Sequence, residues 1–259
     1  MNWDKHRGYI IAATAFLVFL IFYLASAVSS VNNAVRAFDE SWQESADRNQ
    51  DDTINICTVP GYLELTREKA FLGAQVRMAA SDSIGLLIDV RDSVIQLLIK
   101  GLPVRTIRIE EHDLSPFFRR VNQEALSDML SLPLTITDMD ATFRKDPVTV
   151  KIAPKDTSEV KVDAKPDTTD FEAVFFTLNT DRNIRIYFEQ QESKKLADRF
   201  ARFFFDLKDK AMYAGRSLKA IAVMDKPPYV PYIKIWIPKA EAKIIYRAIP
   251  REGLIVLRQ

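Results

Sequence analysis

Residues 84–110 read IGLLIDVRDSVIQLLIKGLPVRTIRIE, and this stretch decides the fold of the chain. Its three runs of mainly aliphatic, β-branched residues partly alternate, as strands do, and they occupy 84–90, 93–99 and 104–110. Arg91-Asp92 and Lys100-Gly101 separate the runs at hairpin distance. We therefore predict a meander of three antiparallel strands, within an α+β fold built mainly on an antiparallel sheet with packed amphipathic helices.

Helical periodicity flanks the meander on both sides. Before it, Leu63–Ala80 places Ala70, Phe71, Ala74 and Met78 on one face. After it, Asp113 is a candidate N-cap, with Pro116 in the first turn of a helix that would run to about Met129. The inward face of this second helix would carry Phe117, Phe118, Val121, Ala125 and Met129.

The second half of the chain alternates between further strands and helices. The predicted strands are Leu134–Thr137, Val148–Ile152, 171–178 paired with 184–188 as a hairpin, Tyr232–Ile237 and Leu254–Leu257. Asp138-Met139-Asp140 is interpreted as a turn. Lys239–Ala248 is a predicted helix, and 151–170 a charged loop or hairpin. The long amphipathic stretch Glu192–Ala222 predicts a core helix, with a membrane-surface helix as the alternative.

An uncharged apolar run, Gly8–Val28, has the length of about 20 residues that a bilayer-spanning helix needs. Basic residues precede it and acidic residues follow it, so the positive-inside rule puts the N-terminus in the cytoplasm. We expect a single-pass protein of the inner (cytoplasmic) membrane, with its large domain periplasmic or extracellular. The plan is a cytoplasmic tip, a transmembrane helix, a juxtamembrane helix with linker, and one soluble domain, at 1–7, 8–28, 29–52 and 53–259. A cleaved signal peptide is the alternative, since Ala25-Ser26-Ala27 has the small-x-small form.

An apolar stripe follows the membrane segment at spacings of three and four residues, which is a seam along one helical face. Its members are Val28, Val31, Val35, Phe38 and Trp42. One hypothesis is that this helix binds a second copy of the chain or the membrane helix of a partner. The other is that the stripe packs on its own domain.

Composition excludes several classes of site. Lys plus Arg total 36 against 35 for Asp plus Glu, so no charge excess favours nucleic acid as a partner. Cys57 is the only cysteine, which rules out an intramolecular disulfide and a cysteine-based zinc site. The seven glycines are isolated, so no glycine-rich phosphate loop is formed. We expect no cofactor.

Candidate catalytic residues are few. A serine triad needs a histidine, and His6 and His112 are the two in the chain. Carboxylates flank His112, so Glu110, His112 and Asp113 form a candidate metal cluster, although a solvated strand end explains them more simply. Ser158 and Lys161 match an S-x-x-K motif, but its companion motifs are missing.

Two stretches resemble L,D-transpeptidase catalytic domains. The first is 84–110, and the second is the closing strand–helix–strand, in which Tyr246, Ile249, Gly253 and Val256 are the matched positions. The resemblance implies a membrane-anchored protein at the outer face of a bacterial membrane. That family depends on a cysteine nucleophile and a histidine. Since no cysteine follows Cys57, no active-site residue carries over, and the resemblance implies a catalytically inactive member whose fold serves binding.

These observations favour a non-enzymatic, membrane-anchored accessory or scaffold protein of the bacterial cell envelope. Its expected partners are other membrane or envelope proteins and peptidoglycan, with a homodimer as a further alternative. Two other functions stay open. One is a carboxylate- or metal-dependent cell-wall hydrolase, and the other is a subunit of a secretion or transport machine.

Overall fold

The computed structural model describes residues 14, 17, 29–45, 61–143, 145, 174–190, 207 and 229–259. Its helices are α1 (29–45), α2 (Tyr62–Ala79), α3 (Pro116–Arg120), α4 (Gln123–Leu130) and α5 (Lys239–Ala248). Its strands are β1 (Ile84–Asp89), β2 (Val94–Ile99), β3 (Leu102–Arg108), β4 (Glu111–Leu114), β5 (Leu134–Ala141), β6 (Phe175–Thr180), β7 (Arg185–Gln190), β8 (Tyr232–Ile237) and β9 (Leu254–Arg258).

The strands form one sheet of nine in the order β3-β2-β1-β9-β5-β6-β7-β8-β4. Most neighbours are antiparallel, and the exceptions are the parallel pairs β1–β9 and β7–β8. The predicted class, α+β on a mainly antiparallel sheet, is therefore confirmed. The meander β1–β2–β3 is confirmed as well. Its second turn has two residues with left-handed backbone, Lys100 at φ 51° and Gly101 at φ 79°, as a tight hairpin requires.

The two edges of this sheet approach each other. Only Ile109 and Glu110 separate β3, at one edge, from β4, at the other. The Ile109 N–H donates to the Ser93 carbonyl, beside β2, and the Glu110 N–H donates to the Trp236 carbonyl of β8. Consecutive residues thus join opposite ends of the sheet. On the other side β5 bends, since its first residues pair with β9 and its later residues with β6. The sheet therefore has two halves. One consists of β1, β2, β3 and β9, the other of β4, β6, β7 and β8, and β5 passes from the first to the second.

The space between the two halves holds the main core. Along β6, β7 and β8 every second residue points into it, and these side chains are almost wholly buried. The aromatic stack of Phe176 on Phe188, with ring centroids 4.5 Å apart, is at its centre. Helix α5 adds Ala242 and Ile245 to this core, and Ile249, which follows the helix directly, adds a third side chain. The alternation of apolar and polar residues therefore fixes the inner face of this half of the sheet.

Helix α2 covers the outer face of the other half. Its predicted inward residues Phe71, Ala74 and Met78 pack on Leu87 and Val256, which confirms that face of the helix. Gly85 allows the close approach, because a Cβ at that position would lie 2.4 Å from the Met78 sulfur. The glycine in β1 is thus a packing requirement of α2.

Two local predictions are wrong. The single helix expected from Asp113 to Met129 is two helices, because Val121 has extended backbone (ψ 151°) and Asn122 starts a new helix by capping it. Asp113 is not a helix cap but a residue of β4, and Ser115 precedes α3 instead. Asp138-Met139-Asp140 is not a turn, since β5 continues through it in register with β6.

Several other predictions fall outside the described residues. They include nearly all of 8–28, together with Val148–Ile152, 151–170 and most of Glu192–Ala222. Within the described part of the chain, no helix combines the length and apolarity that crossing a bilayer requires. The strand β8 and the helix α5 have their predicted bounds. The strands β7 and β9 end two residues and one residue later than predicted, and β6 continues to Thr180 where the prediction ended at 178.

Candidate functional site

The apolar stripe of α1 contacts the domain of the same chain. Val35 is 9% exposed and belongs to the main core. One turn further on, the Phe38 ring meets the Phe117 ring edge-on, with centroids 5.6 Å apart. Val31 and Trp42 are half-buried, and Val28 lies outside the described residues. For Val35 and Phe38 the structure therefore agrees with the hypothesis of packing on their own domain, while binding of another chain by the stripe stays a prediction.

Two polar contacts fix the position of α1 along this surface. The Arg120 Nη1 donates to the Asn32 Oδ1 over 2.9 Å. One and a half to two turns later, the Asp39 Oδ1 accepts a hydrogen bond of 3.0 Å from the Asn122 main-chain N–H. Both partners lie at the junction between α3 and α4. Because apolar packing alone permits sliding, these directional contacts set the register of α1 on the domain.

The junction is itself held rigidly. The Asn122 Oδ1 caps α4 by accepting from the Glu124 N–H at 2.8 Å. The Gln123 side chain donates to the carbonyls of Phe118 and Val121, and its Oε1 accepts from Arg67 of α2 over 2.6 Å. Every polar group of the Gln123 amide thus joins α3, α4 or α2. Helix α1 therefore docks on a preformed corner of the domain.

A groove runs between the second half of α1 and helices α2 and α4. We call it the α1 groove, and its volume is about 570 Å³. It is lined by Trp42, Ser45, Tyr62, Thr66, Lys69, Ala70, Gly73, Arg77, Glu124, Ser127, Asp128 and Ser131. A second hollow between the N-termini of α2 and α4 shares the lining residues Tyr62 and Glu124 with it. Both hollows lie on the side of the domain where α2 packs against α4.

The chemistry of the α1 groove is that of a binding surface. Two cations, Lys69 and Arg77, come from α2, and two carboxylates, Glu124 and Asp128, come from α4, while Trp42 adds an aromatic ring. Opposite charges on facing walls select partners of complementary charge order. The site therefore offers two aromatic rings, those of Trp42 and Tyr62, flanked by charge.

The aliphatic hydroxyls of the groove are all engaged in helix backbone contacts. Ser45, Thr66, Ser127 and Ser131 each donate to a main-chain carbonyl three or four residues earlier, over 2.7–2.9 Å. A nucleophilic serine needs its hydroxyl directed at a base. None of these four hydroxyls is directed that way.

Helix α1 is expected to contribute to stability. Replacing the half-buried Phe38 (Phe38→Ala) removes the edge contact with Phe117, and we expect the free energy of unfolding to fall by about 2 kcal/mol, half of the value for a fully buried ring. Urea denaturation followed by circular dichroism measures this loss. The matched variant Phe38→Leu should lose less than half as much. Unchanged stability in Phe38→Ala would mean that α1 does not dock.

The candidate metal residues do not gather. Glu110, His112 and Asp113 are exposed at the β3–β4 corner. In β4, His112 pairs with Ile235 and Asp113 with Lys234, and neighbouring strand residues point to opposite faces. Among the residues that the structure describes, no three His, Cys, Asp or Glu side chains lie close enough together to hold a metal ion. The other candidates His6, Cys57, Ser158 and Lys161 lie outside the described residues.

A second polar cluster lies where the parallel strands β1 and β9 end. Arg258 donates to Glu68 over 2.7 Å and to the buried Asp89 over 3.0 Å, and its guanidinium lies 4.9 Å from the centre of the Phe71 ring. The hydrogen bond with Asp89 raises the pKa of Arg258. The adjoining cavity of about 20 Å³ has room for one water molecule. This cluster therefore fastens α2 to the sheet, and the cavity beside it is too small for a ligand.

Sequence reasoning found the stripe of α1 but missed its polar partners. Asp39, Arg120 and Gln123 carry no motif, and of the four only Asn122 is a residue type that is preferred at a helix N-cap. Comparisons with protein-family models, curated proteins and solved structures found no match to this chain.

Proposed function

We propose that this chain is a membrane-anchored, non-enzymatic accessory or scaffold protein of the cell envelope. Residues 8–28 would be its anchor, and the domain would lie on the outer side of the membrane. The α1 groove would receive a charged segment of another membrane or envelope protein. In this role the domain is a fixed platform at the bilayer surface.

The docking of α1 is the observation that carries this proposal. A domain joined to a membrane helix by a flexible linker samples many orientations. Here α1, which follows directly after the apolar run, is part of the core through Val35 and is fixed by Asp39 and Arg120. The domain would therefore keep a fixed orientation relative to α1. The α1 groove would then face a constant direction relative to the membrane.

Site-specific photo-crosslinking in living cells tests this function. A photo-crosslinking amino acid placed at Lys69 or at Asp128, on the two walls of the groove, is expected to give adducts with another membrane or envelope protein. The same amino acid at Glu252, in the exposed turn before β9, is the matched control and should give none. An adduct of twice the chain's mass would identify a second copy as the partner. Equal adducts at all three positions, or none at the groove, would refute the assignment.

The relation to L,D-transpeptidases is likewise a proposal. In its support, the two stretches that carry the resemblance are neighbours in space, since β1 pairs in parallel with β9 from Leu86–Ile255 to Asp89–Arg258. A domain derived from that family would keep affinity for peptidoglycan. Co-sedimentation of the chain with isolated cell-wall sacculi measures this affinity, and a chain that stays in the supernatant would speak against the relation.

A further inference from the structure

Two neighbouring arginines lie next to the membrane-proximal end of α1. Arg119 and Arg120 end α3 and are both exposed. Arg120 reaches Asn32, in the second turn of α1, over 2.9 Å. Arg36 is also exposed and lies one turn after Asn32 on the same side of the helix. Arg120 and Arg36 thus bring two guanidinium groups to the first turns of α1, and Arg119 is the neighbour of Arg120 in α3.

The height of these groups above the membrane follows from helix geometry. Asn32 lies four residues after Val28, which ends the apolar run, and at 1.5 Å per residue this is a rise of about 6 Å. The headgroup layer on each side of a bilayer is about 5–7 Å thick. The Arg120 guanidinium would therefore lie within the headgroup layer, and the exposed Arg119 precedes it in the last turn of α3.

The surroundings leave these cations available. Within the described residues, neither Arg119 nor Arg120 forms an ion pair with a carboxylate, whereas Arg91, Arg105 and Arg258 all do. A guanidinium binds a phosphate group through two parallel hydrogen bonds, and an anionic lipid surface attracts it further. The chemistry at this height thus matches a phospholipid phosphate.

We propose that Arg119 and Arg120 bind the phosphates of anionic phospholipid headgroups and hold the domain down on the bilayer. This inference rests on the proposed function, since it requires residues 8–28 to lie in the membrane. The lipid contact and the α1 contact then act at the same corner. Together they would fix the tilt of the domain as well as its direction.

Hydrogen exchange of the full chain in lipid nanodiscs tests the inference. We expect the amides of 117–122 to exchange at least about fivefold more slowly in discs with one third phosphatidylglycerol than in discs of phosphatidylcholine alone. The double variant Arg119→Gln/Arg120→Gln should lose this difference. The control Arg108→Gln/Arg251→Gln removes the same charge from two other exposed positions and should keep it.

Three results would overturn the inference. The first is equal exchange in both kinds of disc, and the second is a lipid effect that survives in the double variant. The third is the same protection produced by inorganic phosphate added to phosphatidylcholine discs, which would indicate a site for the free anion. A carbonate wash of membranes tests the membrane anchor separately from the lipid contact. A chain released by carbonate lacks the proposed anchor, and this inference falls with it, whereas an embedded chain with equal exchange refutes the lipid contact alone.

Discussion

Replacing Phe188 by alanine (Phe188→Ala) is expected to lower the free energy of unfolding by about 4 kcal/mol. The Phe188 ring lies flat on Phe176, with an angle of 9° between the planes, and both side chains are fully buried between the halves of the sheet. Truncation removes the ring and leaves a cavity that rigid strands on both sides cannot fill. For a domain whose total stability is about 5–15 kcal/mol, this is a large fraction.

Urea denaturation monitored by circular dichroism measures this effect. The control Phe188→Leu retains most of the buried volume and should cost less than about 2 kcal/mol. The slope of the unfolding free energy against urea should stay the same in both variants, because the folded domain remains compact. A loss below about 1 kcal/mol for Phe188→Ala would contradict the position of this ring at the centre of the core.

Replacing Arg258 by methionine (Arg258→Met) is expected to lower the unfolding free energy by about 3 kcal/mol. The methionine keeps the apolar stem that packs on Phe71, but the buried Asp89 loses its ionic partner. An unpaired carboxylate at that depth is costly, because the remaining contact, the Asp92 N–H at 3.0 Å, replaces only part of its hydration.

A double variant isolates the charge as the cause. In Asp89→Asn/Arg258→Met the buried carboxylate is gone, so we expect at least half of the lost stability to return. The exposed Arg251 provides the matched single control, since Arg251→Met should change the unfolding free energy by less than about 0.5 kcal/mol. If Arg258→Met and Arg251→Met behave alike, the network around Asp89 contributes nothing.

Local patterns predicted the strands well where one face of the strand is buried. In β8, Ile233, Ile235 and Ile237 are inside and alternate with half-exposed Tyr232, Lys234 and Trp236, so period and burial coincide. The helix α5 was predicted equally well, since it begins and ends where its apolar spacing does. The burial of one face determines such elements, and this burial is visible as a period in the local sequence.

Elements with a tertiary cause were misread. The residues Phe117, Phe118, Val121 and Ala125 fit one helical face, and this periodicity is satisfied whether or not the helix breaks at Val121. The β4 strand has an exposed, charged sequence and exists because β8 offers it hydrogen bonds. Likewise, β5 extends through two aspartates because β6 pairs with it. No local pattern contains these partners.

The sequence predicted one part of the candidate site, the apolar stripe of α1, but not the α1 groove. The stripe identified Val35 and Phe38 as residues that need a partner surface, but a seam of two heptads cannot distinguish another chain from the same chain. The α1 groove could not be predicted, because its charged residues Lys69, Glu124 and Asp128 carry no motif and lie on two helices that are far apart in the sequence. The packing of α2 against α4 makes them neighbours, and α1 adds Trp42 beside them.

The interior position of β9 has a consequence for how the domain forms. This strand lies between β1 and β5, and its Arg258 contacts an Asp89 that is 169 positions away in the chain. Closing so long a loop costs conformational entropy before the contacts of β9 form and stabilise the chain. This cost makes folding slow. During biosynthesis the edge of β1 and the first residues of β5, which both pair with β9, stay without this partner until β9 leaves the ribosome. A nascent chain of this kind is exposed to proteases and aggregation in that interval, and a chaperone that shields open strand edges would raise its yield.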